Sequence, residues 1–115
     1  MDNKLRVVLD YEKLSDELKE QIKLVYPDGF SQHLIKFKNS KGESVSALRF
    51  ETFEKIYLVR MSVQKAIQLI EDDNDYDDDG SLKEHIKEKY ADEYSEIEYL
   101  SENENYEGDD EDDED

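Results

Sequence analysis

The sequence predicts one α+β domain followed by a disordered acidic C-terminal tail. The chain has 115 residues and a formal net charge of −18. Residues 1–70 hold 12 Lys and Arg against 10 Asp and Glu, whereas residues 101–115 hold 10 acids and no base. Apolar residues concentrate before residue 71, and the last fifteen residues cannot bury enough apolar surface to offset chain entropy. We therefore expect a domain over residues 1–100 and a tail over residues 101–115.

A strand and a helix are predicted first. Residues 5–9 are short, apolar and contain two valines, which favours a strand. Ser15 is followed by two acids, as a helix N-cap often is, and the Pro-Asp-Gly sequence at 27–29 ends the helix. The helix is supported by apolar residues at helical spacing, namely Leu14, Leu18, Ile22 and Val25.

Three further strands and two helices follow. Residues 33–39, 45–51 and 55–61 have strand composition and short connections, which favours an antiparallel meander. Ser62 caps a second helix, and the Ser81–Glu84 capping-box pattern begins a third. The order β-α-β-β-β-α-α predicts a small antiparallel sheet with helices on one face. Its inward residues are expected to be Ile35, Phe37, Leu48, Phe50, Tyr57, Val59 and Met61.

Composition excludes several classes of function. The chain has no cysteine, and it has no apolar run of membrane-span or signal-peptide length, which predicts a cytoplasmic location. It has four glycines and no phosphate-loop, nucleophile-elbow or dinucleotide fingerprint. We therefore expect no enzymatic activity and no cofactor, with weak calcium or magnesium binding as the exception considered below.

The predicted sheet has a basic outer face. With the inward set above, Lys36, Lys38, Arg49 and Arg60 point outward together, beside apolar residues such as Leu58. Such a face could dock a partner, a phosphate backbone or the chain's own tail, or it could be ordinary solvated charge. It lacks the aromatic pair with which RNA-binding sheets stack bases.

The acidic segment 71–80 resembles part of an EF-hand calcium loop. Asp75, Asp77 and Asp79 stand at loop positions one, three and five, and Gly80 stands at the turn position. Position twelve, which should be a bidentate Glu, is Ile86. The alternatives are a solvated acidic loop before a helix and a weak calcium or magnesium site.

The tail offers a second acidic feature. Its carboxylates include Asp109, Asp110, Asp112 and Asp113, and Tyr106 is its one aromatic residue and candidate anchor. Charge runs are often solubilising extensions. This one could also attract a basic protein in a salt-dependent way, or fold back over the basic face.

Three segments carry a family resemblance. Residues 9–15 (LDYEKLS), 21–30 (QIKLVYPDGF) and 45–51 (VSALRFE) resemble a family of short acidic bacterial proteins, over residues 5–100. The family has no assigned activity, and some members carry a DNA primase label. A primase needs metal-binding carboxylates on a much larger scaffold, so the resemblance implies an accessory role in replication or transcription.

The sequence as a whole favours a non-enzymatic binding or adaptor protein. Its expected partner is a basic protein, such as one that binds nucleic acid, because a net charge of −18 repels nucleic acid and anionic membranes directly. The alternatives are a nucleic-acid-associated accessory module with an autoinhibitory tail and a weak divalent-cation binder.

Overall fold

The computed structural model describes residues 4–106. Over these residues the chain forms an α+β domain in the predicted order β-α-β-β-β-α-α, with three short 3-10 helices between and after the main elements. The elements are β1 (Leu5–Asp10), α1 (Asp16–Val25), β2 (Ile35–Lys38), β3 (Ser44–Glu51), β4 (Lys55–Arg60), α2 (Val63–Glu71) and α3 (Glu84–Glu93).

Two of the three predicted helix starts are confirmed. The Ser15 hydroxyl accepts a hydrogen bond from the Leu18 amide at 3.1 Å, and the Ser62 hydroxyl accepts one from the Lys65 amide at 3.0 Å. Each bond satisfies an amide that has no partner inside its helix. The capping box predicted from Ser81 is wrong, because α3 begins at Glu84 with Lys83 as its N-cap, and the Ser81 carbonyl instead accepts a hydrogen bond from the Asp77 amide in the preceding hairpin.

The sheet is mixed and has the strand order β1-β4-β3-β2. Strands β2, β3 and β4 form the predicted antiparallel meander, but β1 pairs with β4 in parallel. The reason is the path of the chain: α1 links β1 to the far edge of the sheet, and two hairpins return the chain to β1. A strand that arrives by this route runs in the same direction as β1.

All three helices pack on one face of the sheet. Leu48, Phe50 and Val59 are completely buried there and form the centre of the core. The helices contribute to the same cluster through Ile22 and Val25 of α1, Ala66 of α2 and Tyr90 of α3. Burial of these apolar side chains stabilises the fold, at about 1.5–3 kcal/mol for each large one.

Strand β2 presents the face opposite to the predicted one. Ile35 pairs with Ala47, and Ala47 pairs with Arg60, so these three side chains share the face that points away from the helices. The prediction that Ile35 and Phe37 point into the core is wrong. The five-residue loop 39–43 sets this register. Within the loop, the Asn39 side chain accepts hydrogen bonds from the Lys41 and Glu43 amides, both at 2.9 Å.

The chain beyond residue 100 completes the edge of β3. Strand β2 pairs with β3 only as far as Ala47, which leaves later β3 groups without a strand on that side. The buried Asn103 side chain accepts from the Glu51 amide at 2.8 Å and donates to the Glu51 carbonyl at 3.1 Å. The predicted domain boundary at residue 100 thus falls inside a packed segment, in which Tyr106 also contacts the core. The rest of the predicted tail, residues 107–115, lies outside the described residues.

Replacement of Asn103 by Ala tests this edge. The side chain is 3% exposed, and its loss leaves the Glu51 amide and carbonyl without these partners. We expect the free energy of unfolding in urea to fall by about 1–3 kcal/mol. The control is Glu104→Gln, at an exposed neighbouring position, which should change it by less than about 0.5 kcal/mol. Equal stability of the two variants would contradict the assigned role.

Candidate functional site

The four predicted basic residues do not share a face. Lys36 pairs with Ser46 and Lys38 with Ser44, on the helix side of the sheet, whereas Arg49 and Arg60 belong to the opposite face. Both arginines form ion pairs. The Arg49 guanidinium lies 2.7 Å from a Glu51 oxygen, and the Arg60 guanidinium lies 3.1 Å from an Asp10 oxygen. Because of the β2 register described above, the four cations do not form one cluster, although Lys38 and Arg60 both line the basic groove described below.

The acidic segment is a folded hairpin anchored to the end of α1. Tyr76 is 5% exposed, and its hydroxyl donates to the Tyr26 carbonyl at 2.9 Å. Burial raises the pKa of Tyr76 well above its ordinary value, so this hydroxyl stays a neutral donor. The Leu82 amide donates to the Pro27 carbonyl at 2.7 Å. Gly80, with φ of +83°, supplies the left-handed residue of the turn.

Two acids of the segment are held by a buried lysine. The Lys23 ammonium lies 2.6 Å from an Asp73 oxygen and 2.9 Å from an Asp75 oxygen, and the whole residue is 8% exposed. The Tyr90 hydroxyl donates to the same Asp75 oxygen at 2.7 Å. This network joins α1, the acidic segment and α3, and it turns Asp75 toward the interior.

The network shifts the pKa of both partners toward their charged forms. Burial by itself raises the pKa of Asp75, but hydrogen bonds from Lys23 and Tyr90 outweigh it and hold the pKa below the ordinary 3.8. Burial likewise lowers the pKa of Lys23, and the bonds and charges of Asp73 and Asp75 raise it above 10.5. Both groups are therefore charged at neutral pH.

The three predicted cation ligands are not brought together. Asp75 faces Lys23, while one Asp77 oxygen accepts from the Asp79 amide at 2.9 Å and from the Ser81 amide at 3.1 Å. Backbone hydrogen bonds join residues 75 and 77 to residues 83 and 81, which makes a hairpin in place of an EF-hand loop. Over residues 4–106 no group of three His, Cys, Asp or Glu could hold a metal ion.

An acidic groove lies between this hairpin, the residues after α1 and the exposed side of α2. Its volume is about 420 Å³, and the described residues that line it include five acids and no base. Ile67 and Ile70 of α2 and Tyr76 form apolar parts of the wall. Ile67 is 44% exposed. The acids are Asp28, Glu71, Asp77, Asp78 and Asp79.

A basic groove crosses the face of the sheet away from the helices. It has a volume of about 380 Å³ and touches all four strands. Its lining among the described residues includes three bases and no acid. Arg6 and Arg60 belong to this face, whereas Lys38, which the register places on the helix side, lines the groove at the end of β2. Its apolar lining is Val8, Phe37, Val45 and Leu58. Sequence reasoning missed Arg6 because it lies inside a short apolar strand, where alternation over so few residues does not assign a face.

Comparisons with known proteins do not extend these observations. No protein-family model matches the chain, and no curated protein or solved structure is significantly similar to it. The resemblance to short acidic bacterial proteins, with its primase label, stays a prediction. In the described part of the chain no helix is long and apolar enough to cross a membrane, and the cytoplasmic location also stays a prediction.

The lysine network predicts a specific pH dependence of stability. A carboxyl whose pKa is lowered on folding contributes stability above its ordinary pKa of 3.8, and this is lost as the pH falls through the folded value. Asp75→Asn should lower the free energy of unfolding at pH 7 by about 1–3 kcal/mol. It should also flatten the loss of stability between about pH 5 and pH 2, measured by urea unfolding.

The matched control is Asp78→Asn in the same hairpin. Asp78 is exposed and has no ion-pair or hydrogen-bond partner among the described residues. With Asp78→Asn, the free energy of unfolding should fall between about pH 5 and pH 2 as steeply as it does in the unmodified protein. A flattened curve for Asp78→Asn, or an unchanged one for Asp75→Asn, would contradict the network.

Proposed function

We propose that this protein is a non-enzymatic binding protein that engages a basic segment of a partner protein in the acidic groove. The observation that supports the proposal is the composition of that groove. Five carboxylates and several apolar side chains line it, and no base among residues 4–106 does. A groove of about 420 Å³ has the size of sites that enclose a few side chains.

The chemistry of the groove suits lysine and arginine. Both side chains have an aliphatic stem and a cationic head. Ile67, Ile70 and Tyr76 offer apolar surface to the stem, while the carboxylates on the rim pair with the head. A strongly hydrated anion or a purely apolar ligand would leave one of these two features without a complement.

Further acids would act at longer range. The predicted partner-binding carboxylates Asp109, Asp110, Asp112 and Asp113 lie outside the described residues, so their role stays a prediction. Their charge adds to a field that accelerates encounter with a basic protein and that salt weakens. Contacts within the acidic groove would then provide the specificity.

The two alternatives have less support. Nucleic-acid binding was predicted from four cations on one face, and these are divided between two faces. Weak calcium or magnesium binding was predicted from Asp75, Asp77 and Asp79, of which Asp75 already pairs with Lys23. Both alternatives, together with an accessory role in replication or transcription, stay predictions.

Neutralising three of the carboxylates that line the acidic groove tests the proposed function. The variant Asp77→Asn/Asp78→Asn/Asp79→Asn keeps the side-chain oxygen of Asp77 that closes the turn. We expect it to bind a labelled helical peptide of Lys and Leu about 10-fold more weakly at low salt, since each exposed pair contributes up to about 1 kcal/mol. Fluorescence anisotropy measures the affinity, and the difference should shrink at about 1 M salt.

The control removes the same number of charges elsewhere. Glu88→Gln/Asp92→Asn/Glu93→Gln neutralises three exposed acids of α3 that do not line the acidic groove. This variant should bind the peptide within about 2-fold of the unmodified protein at about 0.15 M salt, because charges beyond the Debye length of about 8 Å are screened. An equal loss in both triple variants would show that net charge alone attracts the peptide.

The apolar part of the groove is tested by two residues one helical turn apart. Ile67 lines the groove and is 44% exposed, whereas Val63 is 49% exposed and does not line it. Ile67→Ala should weaken binding of the same peptide about 5-fold, as expected for the loss of about 1 kcal/mol of apolar contact. Val63→Ala should leave the affinity unchanged. The proposal fails if the two substitutions have equal effects.

A further inference from the structure

The basic groove has cations that the rest of the described structure does not neutralise. Arg6 and Lys38 have no ion-pair partner among residues 4–106. Arg60 pairs with Asp10, and about half of each of these two side chains is exposed. No described helix residue lines this groove, and of its apolar strand residues Val8 is 44% exposed whereas Leu58 is 4% exposed. This surface therefore favours an anionic occupant that can also lie along a sheet.

The last described residues lie at the β3 edge of this face, next to Tyr106, which contacts the core. Residues 102–105 line a pocket together with Ile35 and Arg49, which belong to the face away from the helices. Ile35 pairs with Ala47, and Ala47 pairs with Arg60, so one row of side chains leads from that pocket to the basic groove. Residues 102–105 therefore lie near the end of this row, a few positions before the last described residue.

The remaining length of chain suffices to cross the sheet. Four strands span three interstrand spacings, or about 14 Å. Residues 107–115 comprise nine residues, which reach at most about 30 Å when extended. A tether this short gives an effective concentration in the millimolar range, so weak contacts in cis compete well with contacts to other molecules.

The charges are complementary. Residues 107–115 contain eight carboxylates and no base, and the described lining of the basic groove contains three bases and no acid. The acidic groove would repel the same segment, because its described lining has five acids and no base. Of the two grooves, only the basic one offers this segment attraction.

We propose that residues 107–115 bind in cis across the basic groove and screen this face from anionic partners. This goes beyond the proposed function, which concerns the acidic groove on the other side of the molecule. The competing occupants are a second copy of the chain, which the mixing experiment below detects, and an unrelated anionic macromolecule, for which the groove would stay open if the purified labelled chain gave sharp signals.

The test uses the full-length chain with a spin label at its end. The chain has no cysteine, so Asp115→Cys creates a unique labelling site. A nitroxide there should broaden the NMR methyl signals of Val8 and Leu58 in the basic groove and leave those of Ile67 in the acidic groove sharp. The broadening should fall several-fold between about 0.1 M and 1 M salt, as the Debye length drops from about 10 Å to about 3 Å.

Two comparisons decide the assignment. Arg6→Gln/Lys38→Gln should abolish the broadening, whereas the control Lys13→Gln/Lys89→Gln removes two cations elsewhere and should preserve it. In a mixture of spin-labelled unenriched protein and isotope-enriched protein without the label, cis binding predicts sharp signals. The proposal is overturned by sharp signals in the labelled full-length chain, by broadening in the mixture, or by equal effects of the two double variants.

Discussion

The ion pairs of Lys23 with Asp73 and Asp75 determine the shape of the candidate site. Without them the acidic segment would repel itself, because seven of the ten residues 71–80 are acids. The lysine pairs with two of these carboxylates, offsets one unit of their charge and holds the hairpin against α1 and α3. Four of the five remaining acids of this segment line a groove that also has apolar side chains, and a basic side chain can use both.

The sheet places two surfaces of opposite charge on one small domain. Its helix-covered face forms the core, and the elements that cover it also form the acidic groove. Its other face carries the basic groove. Under the two proposals above, a basic partner would bind in the acidic groove and residues 107–115 would bind in the basic groove. Strongly acidic composition and a folded core are compatible because the charge lies where burial is not required.

Sequence reasoning was most accurate for local structure. The helices capped by Ser15 and Ser62 follow from short-range hydrogen bonds, and the meander follows from short loops. It was least accurate for register. A shift of one residue in β2 reversed its faces, moved Ile35 out of the expected core and divided the expected basic cluster. The alternation of HLIKFKN is equally compatible with either face, so only pairing with β3 could settle it.

The sequence by itself determined the α+β class, the order of the elements and the separation of a near-neutral core from acidic segments, because these depend on periodicity, capping residues and composition. The tertiary structure decided which side chains meet. The pairing of Lys23 with Asp75, the hydrogen bonds of Asn103 to Glu51 and the pairing of Arg60 with Asp10 join residues about 50 positions apart. Such contacts arise from packing and strand order, and no local pattern encodes them.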